Sequence, residues 1–425
     1  MMNPIPNVRW RQMRACVLCS SLIVGAASTL LGSHAAQGAD TKGPQISRSI
    51  AKEMIAAQKA LQANQFADGL KNLEEAQAVL GLTPFDHKTI DELKAFAYIK
   101  LNNYKAAQQA YEDAIATGAA TPEEVGRYTR AVFQISYSDK EYAKAIEYGK
   151  KLVDTDAANA DTYAIVTQAY YLQKDCKNAV VWADKSIAYA RKAGNVPAEN
   201  LFLFKLQCAF DASDTPATIA ALEDLIRLNG KADYWNKLLR FELQDEKYDR
   251  MILMIYRVMY NTNSMSSGGF YVDMAQLLAD APALPGEASA VLEKGVASGT
   301  IGADQKERVG RLQAAFKKRA DVDRSGLSSF AADAAKNPAG DLSVKLGEVY
   351  YGFGDYQNAV TAINAGLQKG GVKHPEDAYV YLGLSQAALK NYAEAKKAFA
   401  QLKTVPTLSP KILRLWLLYA DRLGA

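Results

Sequence analysis

Two stretches decide the fold: Asp355-Tyr356-Gln357-Asn358-Ala359 and Asn391-Tyr392-Ala393-Glu394-Ala395. In each, an aromatic follows a polar turn and an alanine comes three residues later. Leu346-Gly347 and Leu382-Gly383 lie upstream, with the glycine nine residues before the aromatic. The same aromatic-x-x-Ala recurs at Tyr104/Ala107 and Tyr142/Ala145. Looser versions stand at Phe66/Gly69, Cys176/Ala179, Tyr248/Met251 and Pro285/Ala288. Anchors 66, 104, 142, 176, 248, 285, 356 and 392 are separated by 38, 38, 34, 72, 37, 71 and 36 residues. The two large gaps are double steps, which puts weak units near residues 212 and 320. A period of this length, with two helical patterns per unit, signals helix pairs that stack because none can bury its apolar face alone. The expected fold is all-α: a right-handed solenoid of about ten stacked helix-turn-helix hairpins, running from residue 47 to the C-terminus.

The residue types fit those spacings. A small residue midway along the first helix (Gly347, Gly383) and an alanine in the second (Ala107, Ala145, Ala179, Ala359, Ala395) let paired helices approach closely. Tyr98, Tyr170, Tyr350, Trp235 and Phe399 are expected to fill the gaps between hairpins, where packing must reach interior density. Thr89-Ile90-Asp91-Glu92 and Thr121-Pro122-Glu123-Glu124 read as capping boxes. Pro197, Pro375 and Pro410 sit at other helix starts, and Gly118, Gly194 and Gly230 where helices should stop. No sustained alternation of Val, Ile and Thr demands a strand.

Tyr379, Leu382-Gly383, Tyr392, Ala395 and Phe399, with Trp235, Leu238 and Tyr248 as a second copy departing at Met251, resemble the tetratricopeptide repeat family. That resemblance implies a protein-binding solenoid and says little of the partner. A narrower one runs from Ala232-Asp233-Tyr234-Trp235 through Leu292-Glu293-Lys294-Gly295 and Lys369-Gly370-Gly371 to Leu415-Trp416-Leu417. These stretches resemble the periplasmic repeat proteins that accompany the TonB, ExbB and ExbD energy-transduction proteins. The Ser-, Asn- and Gly-rich run from Asn261 to Phe270 departs from that pattern.

The N-terminus carries Arg9, Arg11 and Arg14, then an apolar run from Ala15 to Leu31, then small residues up to Ala39. These are the three parts of a secretory signal peptide, with an uncleaved inner-membrane anchor as the alternative. The expected organisation is a leader at 1–39, repeats at 40–229 and 230–403, and a capping helix at 404–425. The 425 residues carry a net charge of +4, and removal of the leader's three arginines leaves about +1. That balance argues against a nucleic-acid binder. No segment after the leader has the roughly 18 unbroken apolar residues of a span; the nearest, Met251 to Tyr260, is interrupted by Arg257.

Little in the sequence points to chemistry. His87 and His374, the histidines outside the leader, read as solvated loop residues, and no Cys/His cluster exists. No phosphate-binding loop, dinucleotide motif or nucleophile elbow occurs, so neither enzyme activity, metal nor cofactor is expected. Cys176 and Cys208 fall on the same edge of adjacent layers. They suit either a disulfide, worth about 3 kcal/mol in the chain-entropy view, or two buried thiols.

Binding surfaces follow from the register. First helices line the inner face of such a stack, which places Arg130, Gln134, Tyr137, Gln168, Tyr171, Asn236 and Arg240 inward. This set suits an extended peptide or an ordinary polar groove surface. The final helix carries Trp416 and Tyr419 on an apolar surface that is either a cap alone or a cap with a docking patch or homodimer seam. The functional expectation is a non-enzymatic periplasmic scaffold for envelope proteins, with TonB, ExbB and ExbD as partners implied by the resemblance. The alternative is a scaffold for polysaccharide export or outer-membrane protein assembly.

Overall fold

A computed structural model describes residues 44–244, 246–280 and 283–424, so the expected leader at 1–39 lies outside the described residues. The described chain is all-α, with twenty α-helices and no strand among the described residues. It divides into two compact units, one ending at Ala212 and one beginning at Ser213. That division comes ahead of the boundary the sequence suggested after residue 229. The reason is that helix α10 (Thr215–Asn229) packs on elements that follow it.

The first unit is a serial stack. Helices α1 (Ala51–Gln62) and α2 (Phe66–Gln77) pair, as do α3 (Pro84–Lys100) and α4 (Tyr104–Ala116). The pairs α5 (Pro122–Ser138) with α6 (Tyr142–Asp154) and α7 (Ala160–Leu172) with α8 (Cys176–Lys192) follow, and α9 (Glu199–Asp211) lies on α8. Phe66, Tyr104, Tyr142 and Cys176 are thus the first residues of second helices. Two residues ahead of each anchor, Asn64, Asn102, Lys140 and Lys174 take left-handed φ values of 61, 58, 65 and 60°. There the chain reverses, and the next amide bonds back to the carbonyl five residues earlier, as Asn103 N to Tyr98 O and Glu141 N to Ser136 O, 2.8 Å each. Each hairpin therefore rests on a helix-terminating turn, and the aromatic marks where the next helix starts.

Packing against neighbours supplies the core. Ala107, Ala145 and Ala179 are fully buried, and a Cβ on Gly149 would lie 2.3 Å from Val166. Thr121 caps α5 with its side chain on the Glu124 amide, and Pro122 follows. The box expected at residues 89–92 stands instead at Thr83 and Asp86, so α3 starts at Pro84 and His87 sits in its first turn rather than in a loop. Thr89 lies inside the helix, its hydroxyl bonded to the Phe85 carbonyl at 2.8 Å.

The second unit begins with α10, α11 (Ala232–Gln244), α12 (Asp249–Asn261), α13 (Gly268–Asp280) and α14 (Pro285–Ala297). The degenerate repeat expected near residue 320 is one continuous 31-residue helix, α15 (Lys306–Lys336). Its sequence just before and at 320 is rich in the helix formers Ala, Lys and Arg, and Gly310 and Gly326 are taken up in the helix without left-handed φ. Two close hairpins follow: α16 (Asp341–Gly352) with α17 (Tyr356–Lys369), and α18 (Pro375–Ala388) with α19 (Tyr392–Ala400). A Cβ on Gly347 would meet Ile363 at 2.4 Å, and one on Gly383 would meet the Phe399 ring at 2.5 Å. The glycines are there because the second helix leaves no room for a methyl group.

The last helix, α20 (Pro410–Asp421), does more than cover α19. It also packs on α10 and α12, closing the second unit from its last element to its first. Lys411 pairs with Glu246 at 3.1 Å, Arg414 with Glu223 at 3.0 Å and with Glu242, and Arg422 donates to the Arg227 carbonyl at 3.1 Å.

Candidate functional site

In the first unit, α5 and α7 carry the expected groove residues, all half-buried. Arg130 does not offer a free guanidinium, because it donates to the Ala157 carbonyl in the turn between α6 and α7. Tyr171 packs on Phe204, ring centroids 4.7 Å apart, and Tyr137 on Tyr142 at 6.0 Å. Burial, reinforced by Tyr142, pushes the Tyr137 phenol up to about 12, so it remains a hydrogen-bond donor at neutral pH. Gln134 and Gln168 complete the set, one on each helix.

The two groove residues of the second unit behave differently. Asn236 donates to the Ser264 carbonyl at 2.7 Å and to the Ser266 hydroxyl at 2.9 Å. Thr262 and Ser264 share a hydroxyl contact of 2.8 Å in the same loop. The polar run from Asn261 to Phe270 is thereby a hydrogen-bonded turn, with Asn263 at φ 53°, that Asn236 fastens to α11. Asn236 is spent on the fold, while Arg240 is exposed.

Cys176 and Cys208 are joined as a disulfide between the start of α8 and α9, with Cα atoms 5.4 Å apart. Trp416 is fully buried and stacked on Phe399 at 5.2 Å, and Tyr419 is buried edge-on to both rings at 5.7 Å. Neither can form an exposed docking patch or homodimer seam, so of the two readings of α20 these residues serve the cap. His374 is exposed ahead of α18, its Nδ1 3.1 Å from Glu376. Among the described residues, no group of three or more His, Cys, Asp or Glu could hold a metal ion, and no helix is long and apolar enough to cross a membrane.

The most concentrated chemistry lies in the second unit, where the sequence reading did not look. Arg257, in the middle of the apolar α12, is 2% exposed. It makes a paired contact with Glu287 of α14, Nε to Oε1 at 3.2 Å and Nη2 to Oε2 at 3.4 Å. It also donates to the Tyr381 hydroxyl, which in turn donates to Glu287 Oε2 at 2.5 Å. Burial opposes the charge, but Glu287, then Tyr381 and Asp377, more than offset it and hold the guanidinium ionised.

Beside this triad is a cavity of about 250 Å³ lined by Asp249, Arg250, Leu253, Arg257, Glu348, Asp377 and Tyr381. Arg250 pairs with Asp377 at 2.5 Å and Glu376 at 3.6 Å. Burial pushes Glu348 up to about 7, against the pull of Lys345 3.2 Å away. Burial raises Asp377 as well, opposed by Arg257 and Arg250. One signal in the sequence pointed here: an arginine inside a helix apolar on every side requires a buried counter-charge.

With these surfaces defined, the second unit's last hairpins can be compared with known proteins. Residues 344–408 match the tetratricopeptide repeat family. The matched segment covers most of α16 and all of α17–α19, the hairpins whose Gly347, Ala359, Gly383 and Ala395 make the close helix approaches. No curated protein matches the chain. Among solved structures it is similar to Naa15/Naa10 bound to HypK-THB at 11% identity and TM-score 0.40, covering 85% of this chain and 58% of that one. It is also similar to the TPR2AB-domain–pHSP90 complex of yeast Sti1, at 14% identity and TM-score 0.27, covering 88% of this chain and 98% of that one. A tetratricopeptide repeat protein from Parabacteroides merdae gives 11% identity and TM-score 0.28, covering 80% and 100%.

Proposed function

We propose that the protein is a non-catalytic interaction scaffold, exported to the periplasm and serving TonB-dependent energy transduction through contacts with TonB, ExbB or ExbD. The observation that carries the scaffold reading is the serial hairpin stack of the first unit. Gln134 and Tyr137 on α5 and Gln168 and Tyr171 on α7, half-buried on consecutive first helices, are the amide and phenol groups this reading assigns to the groove. Such groups suit an extended polypeptide, whose backbone needs partners at regular intervals. The Cys176–Cys208 disulfide supports an oxidising compartment, and so export.

A photo-crosslinker introduced at Gln134 or Gln168 in living cells tests this. The expected result is an adduct with a TonB-system protein that is absent when the crosslinker replaces Glu147 on the second helix α6. Adducts with polysaccharide-export or outer-membrane assembly proteins would overturn the TonB assignment. No adduct from either position would overturn the groove itself.

A further inference from the structure

We propose that the solvent-facing side of α15 is a self-association surface, which pairs antiparallel with the same helix of a second copy of this chain. It is separate from the groove of the first unit and does not rest on the scaffold reading.

Contacts within its own unit account for one side of α15 only. Its 31 residues run about 46 Å, whereas the helices it packs on, α14 and α16, have 13 and 12 residues. Its buried residues are Val309, Phe316, Ala320 and Ala334. Leu327 and Phe330 join the cluster around Ala334 and Leu346. Two charges flanking that side are used there as well. Arg319 donates to the Ala279 carbonyl at 2.7 Å, and the Arg324 guanidinium lies 4.5 Å from the centre of the Phe353 ring.

Steps of three and four residues from Glu307 to Lys336 trace the opposite side, and every position on that line is exposed. Val322, beside the line, is 65% exposed. Among the described residues, the ion pair on this side joins Arg311 to Glu307. Lys318, Asp321, Asp333 and Lys336 face water without one.

The order of these charges selects both the occupant and its direction. Arg308, Arg311 and Lys318 lie in the first half of the helix, Asp321 and Asp333 in the second. A parallel copy in register would set Arg311 against Arg311 and Lys318 against Lys318. An antiparallel copy, related by an axis between Asp321 and Val322, sets Glu307 against Lys336 and Arg311 beside Asp333. Lys318 then lies about 6 Å along the helix from Asp321 of the second copy, within reach of its four-carbon stem. The two-fold makes each pair twice. Between the charges Ala314 opposes Ser329, and Ser325 opposes the Lys318 stem, short side chains that let the two axes come close. An acidic peptide or an anionic membrane surface would answer the bases of the first half and be repelled by the acids of the second. The same helix reversed answers both. Because the pairs are exposed, the association is weak and salt-sensitive.

Sedimentation velocity of the protein from roughly 5 to 500 μM, the range of small weak interfaces, tests this. The expected result is a monomer–dimer equilibrium that about 0.5 M NaCl shifts toward monomer. Lys318→Glu, at an exposed position, should weaken the dimer about tenfold or more, since attraction becomes repulsion at two places. Adding Asp321→Lys should restore it, with helicity by circular dichroism unchanged throughout. Cysteine cross-linking reads the direction. Val322→Cys should cross-link to itself under mild oxidation, because its two copies meet beside the axis. Lys336→Cys should not, its copies being about 43 Å apart, yet a mixture of Lys336→Cys and Glu307→Cys proteins should. A protein that stays monomeric, including one that instead binds polyglutamate or phosphatidylglycerol vesicles, would overturn the proposal. So would a dimer indifferent to Lys318→Glu, or Lys336→Cys cross-linking to itself as fast as Val322→Cys.

Discussion

Replacing Arg257 by methionine is the sharpest test of how the second unit is held together. The guanidinium, 2% exposed, joins α12 to α14 through Glu287 and to α18 through Tyr381, partners 30 and 124 residues away in sequence. Methionine keeps much of the volume and removes the charge. Glu287 is then a buried carboxylate whose remaining bond is the Tyr381 hydroxyl at 2.5 Å. Stranding one member of a buried ion pair costs about 3–5 kcal/mol, because the desolvation of the survivor is no longer offset. Arg257→Met with Glu287→Gln removes both charges together and should recover about 2 kcal/mol of that loss.

Hydrogen exchange resolved by peptide is the suitable assay, since a chain of two units need not unfold in one step. Protection should fall in α12, α14 and α18 and stay unchanged in α3 to α6, which serve as the internal control. A single variant within about 1 kcal/mol of the parent, or a double variant equal to the sum of the singles, would refute the triad as a unit.

Three further outcomes follow from particular residues. Glu348 has its folded pKa near 7 against an ordinary 4.5, so the unfolded chain ionises first as pH rises. Its contribution is fully present below about 4.5 and declines toward pH 7 by about 3 kcal/mol; urea unfolding of Glu348→Gln should show a flatter profile in that window, and an unchanged slope would refute the linkage. Reducing the Cys176–Cys208 disulfide, which spans 32 residues, should lower the stability of the first unit by about 3 kcal/mol in the chain-entropy view, read as lost protection in α8 and α9. Lys140 holds φ 65° without being glycine, so Lys140→Gly should stabilise by up to about 1 kcal/mol, seen as a higher midpoint in thermal melts; destabilisation would mean its side chain contributes more than its backbone costs.

The hairpins were legible because their constraints are local. Anchors at 66, 104, 142, 176, 356 and 392 open second helices, and small residues at 347 and 383 sit where helices touch, since turn and contact recur at fixed offsets along the chain. Where a pattern is necessary but not sufficient, reading failed. Thr89 and Glu92 have the spacing of a capping box inside a helix that Thr83, Pro84 and Asp86 had already begun. At the unit near 320 no residue takes the left-handed conformation that reverses the chain, and the expected pair is the single helix α15.

What the sequence hid is contact without period. Arg414 meets Glu242 across 172 residues and Arg250 meets Asp377 across 127, and no offset rule relates such pairs. The same holds for the cavity, whose three carboxylates come from three helices. Yet Arg257 and Glu348 share a trait visible before folding: each is a charge set in a stretch that packing alone would make apolar. Arg257 interrupts Met251 to Tyr260, and Glu348 follows Leu346-Gly347 at a close approach of its hairpin. A repeat tolerates such a residue only where a counter-charge from elsewhere makes up for its lost hydration. In a periodic chain the structural residues are therefore those that keep the pattern, and the candidates for specific function are the charges that break it.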